Sequence, residues 1–478
     1  MNKFKFEIIF LLLTAIFLRL INLNQSLWLD EAINVVYARS NDFWWFVSEY
    51  PIGDFHPPGY FAMLWLWGQA FGFSEISVRI PSVIFGVLTV YLTFLIGRNL
   101  FSSKVGLLGG LLLAIAPLHI YYSQEARMYS FAAFAAAFST YTLILLLKKK
   151  QYAFLLHTLS TLLILFSDYV AYFIIPAHIV WVLLYKRSIL RIYFFSLMLS
   201  LILFFPWLIK FVDQLKNGLQ TAEAIEGWQK VVGGATIKNL ILFPVKTLVG
   251  KIDFSNNLIY SLILFIFSIP YLVILTKNIK KWDEKADLLW AWLVIPPFLA
   301  FLISFFIPVF SYFRLIFILP GFYLLVAAGL DMVKGNFQKA LVGLLVLFEL
   351  TASSIYLFNP IYHREDWKGA VEFINLKSNS KSLVLVKSNT GLAPFSYYEP
   401  KINSSPAFIN IPVKSEGDLV GLEEKISKYE KIYVFDYLVE ITDPKRLLEQ
   451  KIKSLNLLEV EKYNFSGVGY ITGYEKKP

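Results

Sequence analysis

Cysteine is absent from this chain, and charged residues are scarce for its length. Among 478 residues there is no cysteine, and Asp, Glu, Lys and Arg together make up 16%, against about 25% in a typical soluble domain. The lack of cysteine excludes disulfides and cysteine-ligated metal sites. With 57% hydrophobic residues and a mean hydropathy of +0.59, a soluble fold is excluded too, because one core could not bury so much apolar surface.

Long apolar runs fill most of the sequence. Runs of about 18 or more residues are typical of helices that cross a bilayer. The first run follows Lys3 and Lys5 without a convincing cleavage site, which favours an uncleaved transmembrane helix with a cytoplasmic N-terminus. The sequence therefore predicts an α-helical polytopic membrane protein with about eleven transmembrane helices. The predicted spans lie at about 6–23, 79–99, 105–121, 128–147, 152–167, 169–185, 190–209, 256–276, 286–304, 314–332 and 338–357.

Basic residues set the predicted orientation in the cell membrane. The net charge is +10, and the Lys and Arg residues lie in short loops between apolar runs, as in cytoplasmic loops. No basic stripe with interleaved aromatics is seen, so nucleic acid is not an expected partner. Successive spans must end on alternate sides of the membrane, which leaves no room for a span at 57–72. As a helix this stretch would be about 24 Å long, whereas the hydrocarbon core of a bilayer is about 30 Å thick. This stretch is predicted to lie on or dip into the outer leaflet, within one large outer loop, 24–78.

The composition changes at about residue 361, where charged and turn residues become frequent. Residues 1–360 are predicted to form the transmembrane domain and 361–478 a small extracytoplasmic α/β domain. Apolar runs of strand length alternate there with helical patterns. The predicted strands are Ser382–Val386 and Lys431–Phe435, and the predicted helices are 366–377, 420–430 and 443–454.

Two polar clusters lie in the predicted outer loop. Asp30 and Glu31 follow the first span, and His56 precedes a pair of prolines. Each is a candidate for function, and each has a structural alternative. Acids are favoured at a helix N-terminus by the helix dipole, and a histidine before prolines can cap a proline-initiated helix. The other acid pair, Asp283 and Glu284, lies among lysines in a predicted cytoplasmic loop and is interpreted as a solvated turn.

A third cluster lies where two later spans begin at the outer face. Arg127 follows Glu125 and precedes Tyr129, and Arg314 follows Tyr312. An arginine near the hydrocarbon edge costs free energy and is normally paired or functional. Two such arginines with several tyrosines would suit a phosphate, because guanidinium groups match phosphate geometry. The structural alternative is that these side chains extend to lipid headgroups.

Four motifs, in this order, resemble those of the GT-C glycosyltransferases. Within that superfamily they are similar to the prokaryotic branch of the family 39 type, which resembles protein O-mannosyltransferases and the aminoarabinose transferase of lipid A. The resemblance covers about 25–130 strongly, and weaker support comes from Tyr312–Leu330 and from Arg364-x-Asp366-Trp367-Lys368-Gly369-Ala370. The motifs are Trp28-x-Asp30-Glu31-Ala32, His56-Pro57-Pro58, Phe71-Gly72-x-Ser74-Glu75 leading into Arg79-x-Pro81-Ser82, and Ser123-Gln124-Glu125-Ala126-Arg127-Met128-Tyr129.

The resemblance implies an inverting transfer of a sugar from a polyprenyl-phosphate donor to an acceptor hydroxyl at the outer face. It implies that Asp30 is the catalytic base or orients the acceptor hydroxyl, that Glu31 supports it, and that Arg127 meets the lipid phosphate. His56 would line the site. The acceptor is left open among protein, lipid and glycan. No metal ion or other cofactor is predicted.

The remaining candidates match the family less closely. Arg314 and Tyr312 are weaker matches for substrate binding, and Tyr129 is included with them. Glu125 departs from the mannosyltransferase pattern, and its role is unassigned. The alternative function is a transporter or flippase for lipid-linked saccharides. Transporters place charged residues near the bilayer midplane, whereas the predicted span centres here are nearly free of charge.

Overall fold

The structure, a computed structural model, is mainly helical with one small sheet near the C-terminus. It describes residues 3–224, 233–253, 256–280, 283–387, 392–398, 405–409 and 413–476. The chain divides into two compact units. The helical unit comprises residues 1–23, 42–219 and 229–362, and the sheet unit comprises 24–41, 220–228 and 363–478. The predicted outer loop 24–78 is therefore shared between them.

The α-helices of the described residues are numbered here in chain order. They are α1 (Lys3–Leu20), α2 (Leu29–Ser40), α3 (Phe43–Ser48), α4 (Tyr50–Asp54), α5 (Gly59–Phe71), α6 (Glu75–Leu100), α7 (Ser103–Ile115), α8 (Pro117–Ser123), α9 (Tyr129–Leu147), α10 (Ala153–Ser167), α11 (Ile174–Tyr185), α12 (Leu190–Ala224), α13 (Ile237–Val249), α14 (Asn257–Lys280), α15 (Glu284–Ile303), α16 (Leu319–Asp331), α17 (Gly335–Phe358), α18 (Trp367–Lys377), α19 (Ala393–Tyr397), α20 (Leu422–Ser427), α21 (Val439–Thr442) and α22 (Leu447–Ser454).

Several helices have the length and composition of membrane spans. Within the described ranges, six qualify, and they lie in α6, α9, α12, α14, α15 and α17. A seventh span is possible if α7 and α8, which are bent by 64° at their junction, are taken together. Three shorter apolar helices, at 153–167, 170–185 and 316–331, coincide with further predicted spans. A multi-pass helical protein is thus confirmed, whereas the total of eleven spans and their orientation stay predictions.

The bend between α7 and α8 is stabilised by a buried arginine. Pro117 opens α8 and has no N–H to continue the hydrogen bonds of α7. Arg19 on α1 donates instead to the freed carbonyls of Ala114, at 3.0 Å, and Leu113, at 3.5 Å. Arg19 Nη2 also lies 2.6 Å from His119 Nδ1. Backbone carbonyls shielded from water need such partners, and these contacts tie α1 to the bend.

The sheet unit is an α/β fold with a five-stranded mixed sheet. Its order is β2-β1-β3-β5-β4, with β1 parallel to β2 and β3, and β5 antiparallel to β3 and β4. Two apolar clusters cover its faces, which is why β1 is buried along its whole length. The strands are β1 (Ser382–Lys387), β2 (Ser405–Ile409), β3 (Lys431–Phe435), β4 (Leu457–Phe465) and β5 (Gly469–Lys476).

The structure agrees closely with the elements predicted for this part of the sequence. β1 extends the predicted strand by one residue, and β3 has the predicted bounds. The predicted helices correspond to α18, α20 and α22. The predicted loop segment 24–41, with α2, also belongs to this unit, since Leu29 packs against the apolar cluster formed around Trp367.

Candidate active site

The helical unit contains a buried ion pair between Asp54 and Arg127. Arg127 Nη1 lies 2.7 Å from Asp54 Oδ2, and Nη2 lies 3.3 Å from Oδ1. The side chains are only 3% and 11% exposed. This two-bond geometry is the strongest form of arginine–carboxylate pairing. The Arg127 carbonyl in turn accepts a hydrogen bond from Ser82 Oγ, at 3.4 Å.

His56 continues this arrangement towards a second carboxyl group. Its Nδ1 lies 2.6 Å from Asp54 Oδ1, and its Nε2 lies 3.9 Å from Asp168 Oδ2. Asp168 follows α10, and its Oδ1 accepts a hydrogen bond from Val170 N at 2.7 Å. Its Oδ2 is buried and has no hydrogen-bond partner among the described residues. Arg127, Asp54, His56 and Asp168 together are named the buried polar row.

The structural alternative for His56 is wrong in one respect. A helix, α5, does begin just after the two prolines, as a proline-initiated helix should. However, no side chain caps that helix, and the His56 imidazole instead faces Asp54 and Asp168. The backbone carbonyl of His56 is held by Gln214 Nε2 at 3.0 Å. His56 is therefore fixed at both its ring and its main chain.

The buried polar row keeps Asp54 ionised. Burial alone would raise the pKa of Asp54, but the charges and hydrogen bonds of Arg127 and His56 outweigh it and lower the pKa to about 2. An ionised carboxylate can only accept hydrogen bonds. The proton between Asp54 and His56 therefore lies on Nδ1, which leaves Nε2 directed towards Asp168.

A lysine surrounded by tyrosines lies in the same unit. Lys251 Nζ is 5.2 Å from the ring centroid of Tyr121 and 5.9 Å from that of Tyr312. Burial lowers the pKa of Lys251, but Tyr121, Tyr312 and Glu125 together raise it above its ordinary range. The ammonium group is thus held in its charged form. Gly250, at φ +64°, brings this loop so close to α8 that a Cβ there would lie 3.1 Å from Leu118 N.

Three of the predicted substrate-binding residues, Glu125, Tyr129 and Tyr312, lie around this lysine or beside the tyrosines that contact it. Tyr122 stacks edge-on with Tyr121 and with Tyr129, at centroid distances of 4.9 and 5.1 Å. Tyr129 also contacts Phe313, next to Tyr312, at 5.5 Å. Glu125 is buried, with 1% exposure. These side chains, with Lys251, are named the lysine–tyrosine cluster.

Arg314 has a different environment from Arg127. Its Nη1 donates to the carbonyl of Pro308 at 3.0 Å, and its guanidinium lies 5.8 Å from the ring centroid of Phe313. Arg127 is engaged by Asp54. The two arginines of the predicted phosphate clamp therefore have different partners, and the role of each in substrate binding stays a prediction.

Asp30 and Glu31 belong to the sheet unit. Glu31 is fully buried, and its Oε2 accepts from Trp28 N at 3.4 Å. This contact matches the structural alternative of an acid at a helix N-terminus, since α2 begins at Leu29. Asp30 is partly exposed. Of the two, Asp30 is the better placed for chemistry with a substrate, and both catalytic roles stay predictions.

The sequence profile of the family described as dolichyl-phosphate-mannose-protein mannosyltransferase matches residues 55–209, about a third of the chain. A Bacillus subtilis (strain 168) protein, YycA, whose name proposes a mannosyltransferase, is 24% identical over 214 residues. That alignment covers 42% of this chain and 31% of YycA, so the match spans about a third of the relative's length.

Solved structures extend the likeness over the full length. ArnT from Cupriavidus metallidurans, bound to undecaprenyl phosphate, has a TM-score of 0.61 at 10% identity, covering 98% of this chain and 97% of ArnT. The oligosaccharyltransferase AglB from Archaeoglobus fulgidus, in complex with an inhibitory peptide and a dolichol-phosphate, has a TM-score of 0.56 at 12% identity, covering 100% and 74%. The chain has the GT-C glycosyltransferase fold. The mycobacterial arabinofuranosyltransferase AftD also shares it, with a TM-score of 0.54 at 11% identity over 98% of this chain and 40% of AftD.

Several motif residues of this GT-C fold are structural. Gln124 Nε2 donates to the carbonyl of Ile21 at 2.7 Å, and its Oε1 accepts from Tyr356 OH at 2.7 Å. Arg79 Nη1 donates to the carbonyl of Leu23 at 2.9 Å. These contacts join the chain around the first span to α6, α8 and α17.

Three residues of the site were not predicted from the sequence. Asp54 is distant from Arg127 in sequence, and Asp168 is distant from His56. Lys251 lies between the spans predicted at 190–209 and 256–276, in a stretch that the alternation of spans places outside. A lysine outside the positive-inside pattern was the one available signal. Among the residues that the structure describes, no group of three or more His, Asp or Glu side chains is arranged to hold a metal ion.

Proposed function

We propose that this protein is an inverting glycosyltransferase that moves a sugar from a polyprenyl-phosphate donor to an acceptor hydroxyl. The observation that carries the proposal is the lysine–tyrosine cluster, a charged lysine among phenolic hydroxyls in the helical unit. ArnT, which shares the fold, binds undecaprenyl phosphate. A lipid phosphate needs a cation and hydroxyl donors at its head and apolar helices along its tail, and the helical unit offers all of these.

Lys251 is proposed to bind the donor phosphate. The leaving lipid phosphate gains negative charge as its bond to the sugar carbon breaks, and a fixed cation stabilises that charge. Tyr121 and Tyr312, beside Lys251, can donate hydroxyl hydrogen bonds to phosphate oxygens. Arg127 is proposed as a second positive group. Its pairing with Asp54 leaves Lys251 as the principal phosphate ligand in this proposal.

Asp30 is proposed as the catalytic base, as the resemblance implies. In the reaction, the acceptor oxygen attacks the sugar carbon opposite the phosphate, its proton passes to the Asp30 carboxylate, and the lipid phosphate leaves with the bonding electrons. The buried polar row is proposed to hold sugar hydroxyls, since Asp168 Oδ2 has no other partner among the described residues and His56 Nε2 lies beside it. The transfer as written needs no metal ion.

The orientation is part of the proposal. The N-terminus is proposed to be cytoplasmic and the residues 363–478 extracytoplasmic, in a multi-pass protein of the cell membrane. The natural absence of cysteine makes this easy to test, because single cysteines at Lys149 and at Leu376, both exposed, can be labelled with an impermeant maleimide in intact cells. Labelling at 376 and protection at 149 is the expected result, and the reverse pattern would contradict it.

The direct test is transfer by the purified protein in vesicles. A panel of undecaprenyl-phosphate sugars is incubated with protein, lipid and glycan acceptors, and released undecaprenyl phosphate is measured. We expect release with at least one donor and its loss in Asp30→Asn. An active Asp30→Asn variant would overturn the base assignment. Movement of donor lipid between leaflets without any transfer would support the transporter alternative instead.

A further inference from the structure

The segment that carries Asp30 folds as part of the sheet unit, and one carboxylate contacts it next to that residue. We propose that Glu365 is a positioning residue for Asp30 and that residues 363–478 exist partly to hold the catalytic segment. The proposal rests on the proposed function, in which Asp30 is the base. It gives the C-terminal residues a role in the reaction although they supply no reacting group.

Glu365 accepts hydrogen bonds from three donors. Its Oε2 accepts from the backbone N–H of Leu29 at 3.2 Å and from Trp367 Nε1 at 2.8 Å. Tyr437 OH lies 3.0 and 3.1 Å from its two oxygens. Leu29 directly precedes Asp30, so the carboxylate fixes the peptide unit beside the proposed base.

The donors are themselves held rigidly. Trp367 is fully buried and lies parallel to Phe435 of β3, with ring centroids 6.0 Å apart. Tyr437 meets the Trp367 ring edge-on at 4.8 Å. Because both side chains are part of the main apolar cluster of the sheet unit, Glu365 transmits the position of the sheet to Leu29.

Other contacts attach the residues just before Leu29. The backbone N–H of Leu27 donates to Tyr398 OH at 2.8 Å. In the opposite direction, the backbone N–H of Arg364 donates to Gln25 Oε1 at 3.0 Å, and that of Lys368 donates to Ser26 Oγ at 3.1 Å. The stretch 25–29 therefore follows the backbone at 364–368, with Glu365 as its last attachment before Asp30.

The start of α2 depends on these outside contacts. The first N–H groups of a helix have no partner within the helix, and Trp28, at the N-cap position, supplies no side-chain hydrogen bond. Glu31 accepts from Trp28 N and Glu365 from Leu29 N. A carboxylate from a distant part of the chain thus does the work of a capping side chain at the turn that carries Asp30.

The test compares Glu365→Ala and Glu365→Gln in the full-length protein, with Glu372→Gln, an exposed glutamate of α18, as the matched control. Small displacements of a reacting group can cost about 100-fold in rate. We expect kcat to fall about 10- to 100-fold in Glu365→Ala with the donor KM unchanged. Glutamine keeps one acceptor oxygen for Leu29 and Trp367, and its amide nitrogen can donate to the Tyr437 hydroxyl oxygen once that hydroxyl turns away, so most of kcat should return.

Hydrogen exchange separates this proposal from the assignment of the base. In Glu365→Ala the amides of 28–32 should exchange faster than in the parent, whereas Glu372→Gln should leave them unchanged. Wild-type kcat and unchanged exchange in Glu365→Ala would overturn the positioning role, even if Asp30→Asn is inactive. Equal losses in the Ala and Gln variants would overturn it too, because charge and not position would then matter. Full activity in Asp30→Asn would instead remove the base, and the exchange result would still report on the attachment.

Discussion

Asp54 in the helical unit and Glu365 in the sheet unit are both carboxyl groups shielded from water, but they meet different partners. Asp54 faces the guanidinium of Arg127 and the ring of His56, and its pKa falls to about 2. The donors that Glu365 meets among the described residues are all uncharged, and burial, with the nearby Asp30, raises its pKa to about 7. Burial acts in the same direction on both groups, so the charge of the partner decides the outcome.

The comparison suggests two uses of a buried carboxylate. Asp54 is fixed in one charge state over the physiological range, which suits a group that orients His56 and Arg127. Glu365 lies close to its titration point, so its hydrogen bonds to the segment of Asp30 depend on conditions. This contrast predicts a large effect when the charge of Asp54 is removed and a small, pH-dependent effect when Glu365 is replaced.

Removing the charge of Asp54 should have the largest effect. In Asp54→Asn, the buried Arg127 loses its ionic partner, and breaking a buried pair in this way costs about 3–5 kcal/mol of stability. The expected result is a clearly lower thermal midpoint in detergent and a loss of transfer activity. The double variant Asp54→Asn/Arg127→Met should recover part of the stability, because the unpaired charge is gone.

A matched exposed pair provides the control for this prediction. Lys210 and Glu49 form an ion pair of 2.6 Å with side chains 34% and 44% exposed. Exposed pairs contribute about 0–1 kcal/mol, so Glu49→Gln should leave the thermal midpoint almost unchanged. If Asp54→Asn and Glu49→Gln lowered the thermal midpoint by similar amounts, the buried ion pair between Asp54 and Arg127 would contribute no more to stability than an exposed pair.

Replacing Lys251 should impair donor binding more than folding. A hydrogen bond to a charged group contributes about 1.5–3 kcal/mol, so Lys251→Ala should raise the donor KM by about one to two orders of magnitude. Lys251→Arg should retain part of the affinity because it keeps the charge. The measurement is undecaprenyl-phosphate release against donor concentration, and an unchanged KM in Lys251→Ala would place the phosphate elsewhere.

The resemblance identified from motifs was correct at the level of the fold, because the features it used lie in short stretches of sequence. Motifs such as His56-Pro57-Pro58 depend on residues adjacent in sequence, and apolar runs indicate spans by length alone. The pairings could not be predicted, because Arg127 meets Asp54 across 73 residues and Leu29 meets Glu365 across 336. The periodicity of apolar residues predicts helices and strands, but it does not predict contacts between residues so far apart in sequence.

The sheet unit illustrates the same limit. β1 and β3 were predictable because they are apolar and buried. β4, by contrast, is mainly exposed at the edge of the sheet, and its sequence offers only short alternations such as Leu458–Glu461 in place of a buried apolar run. The segment 24–41 resembled an ordinary outer loop, because each hydrogen bond described above between it and residues 363–478 joins a backbone N–H to a distant side chain, a pairing that its sequence does not reveal.

The smallest expected effect is the pH dependence that Glu365 gives to stability. Its pKa in the folded protein, about 7, is above the value of about 4.3 for an exposed glutamate. Between these two values the folded state binds more protons than the unfolded state, so stability falls as pH rises through this window and is constant outside it. With allowance for partial exposure, we expect a loss of about 1–2 kcal/mol between about pH 4.5 and 7.

Glu365→Gln should remove this loss, because glutamine does not titrate. Thermal midpoints of the parent and of Glu365→Gln, measured in detergent from pH 4.5 to 8, should therefore diverge as pH rises, with the variant the more stable above about pH 7. Asp54 makes the opposite contribution, which is present above its unfolded pKa and is lost only in strong acid, so it is constant across this range. Parallel curves for the two proteins would mean that Glu365 is already ionised at low pH, and the contrast between the two carboxylates would then disappear.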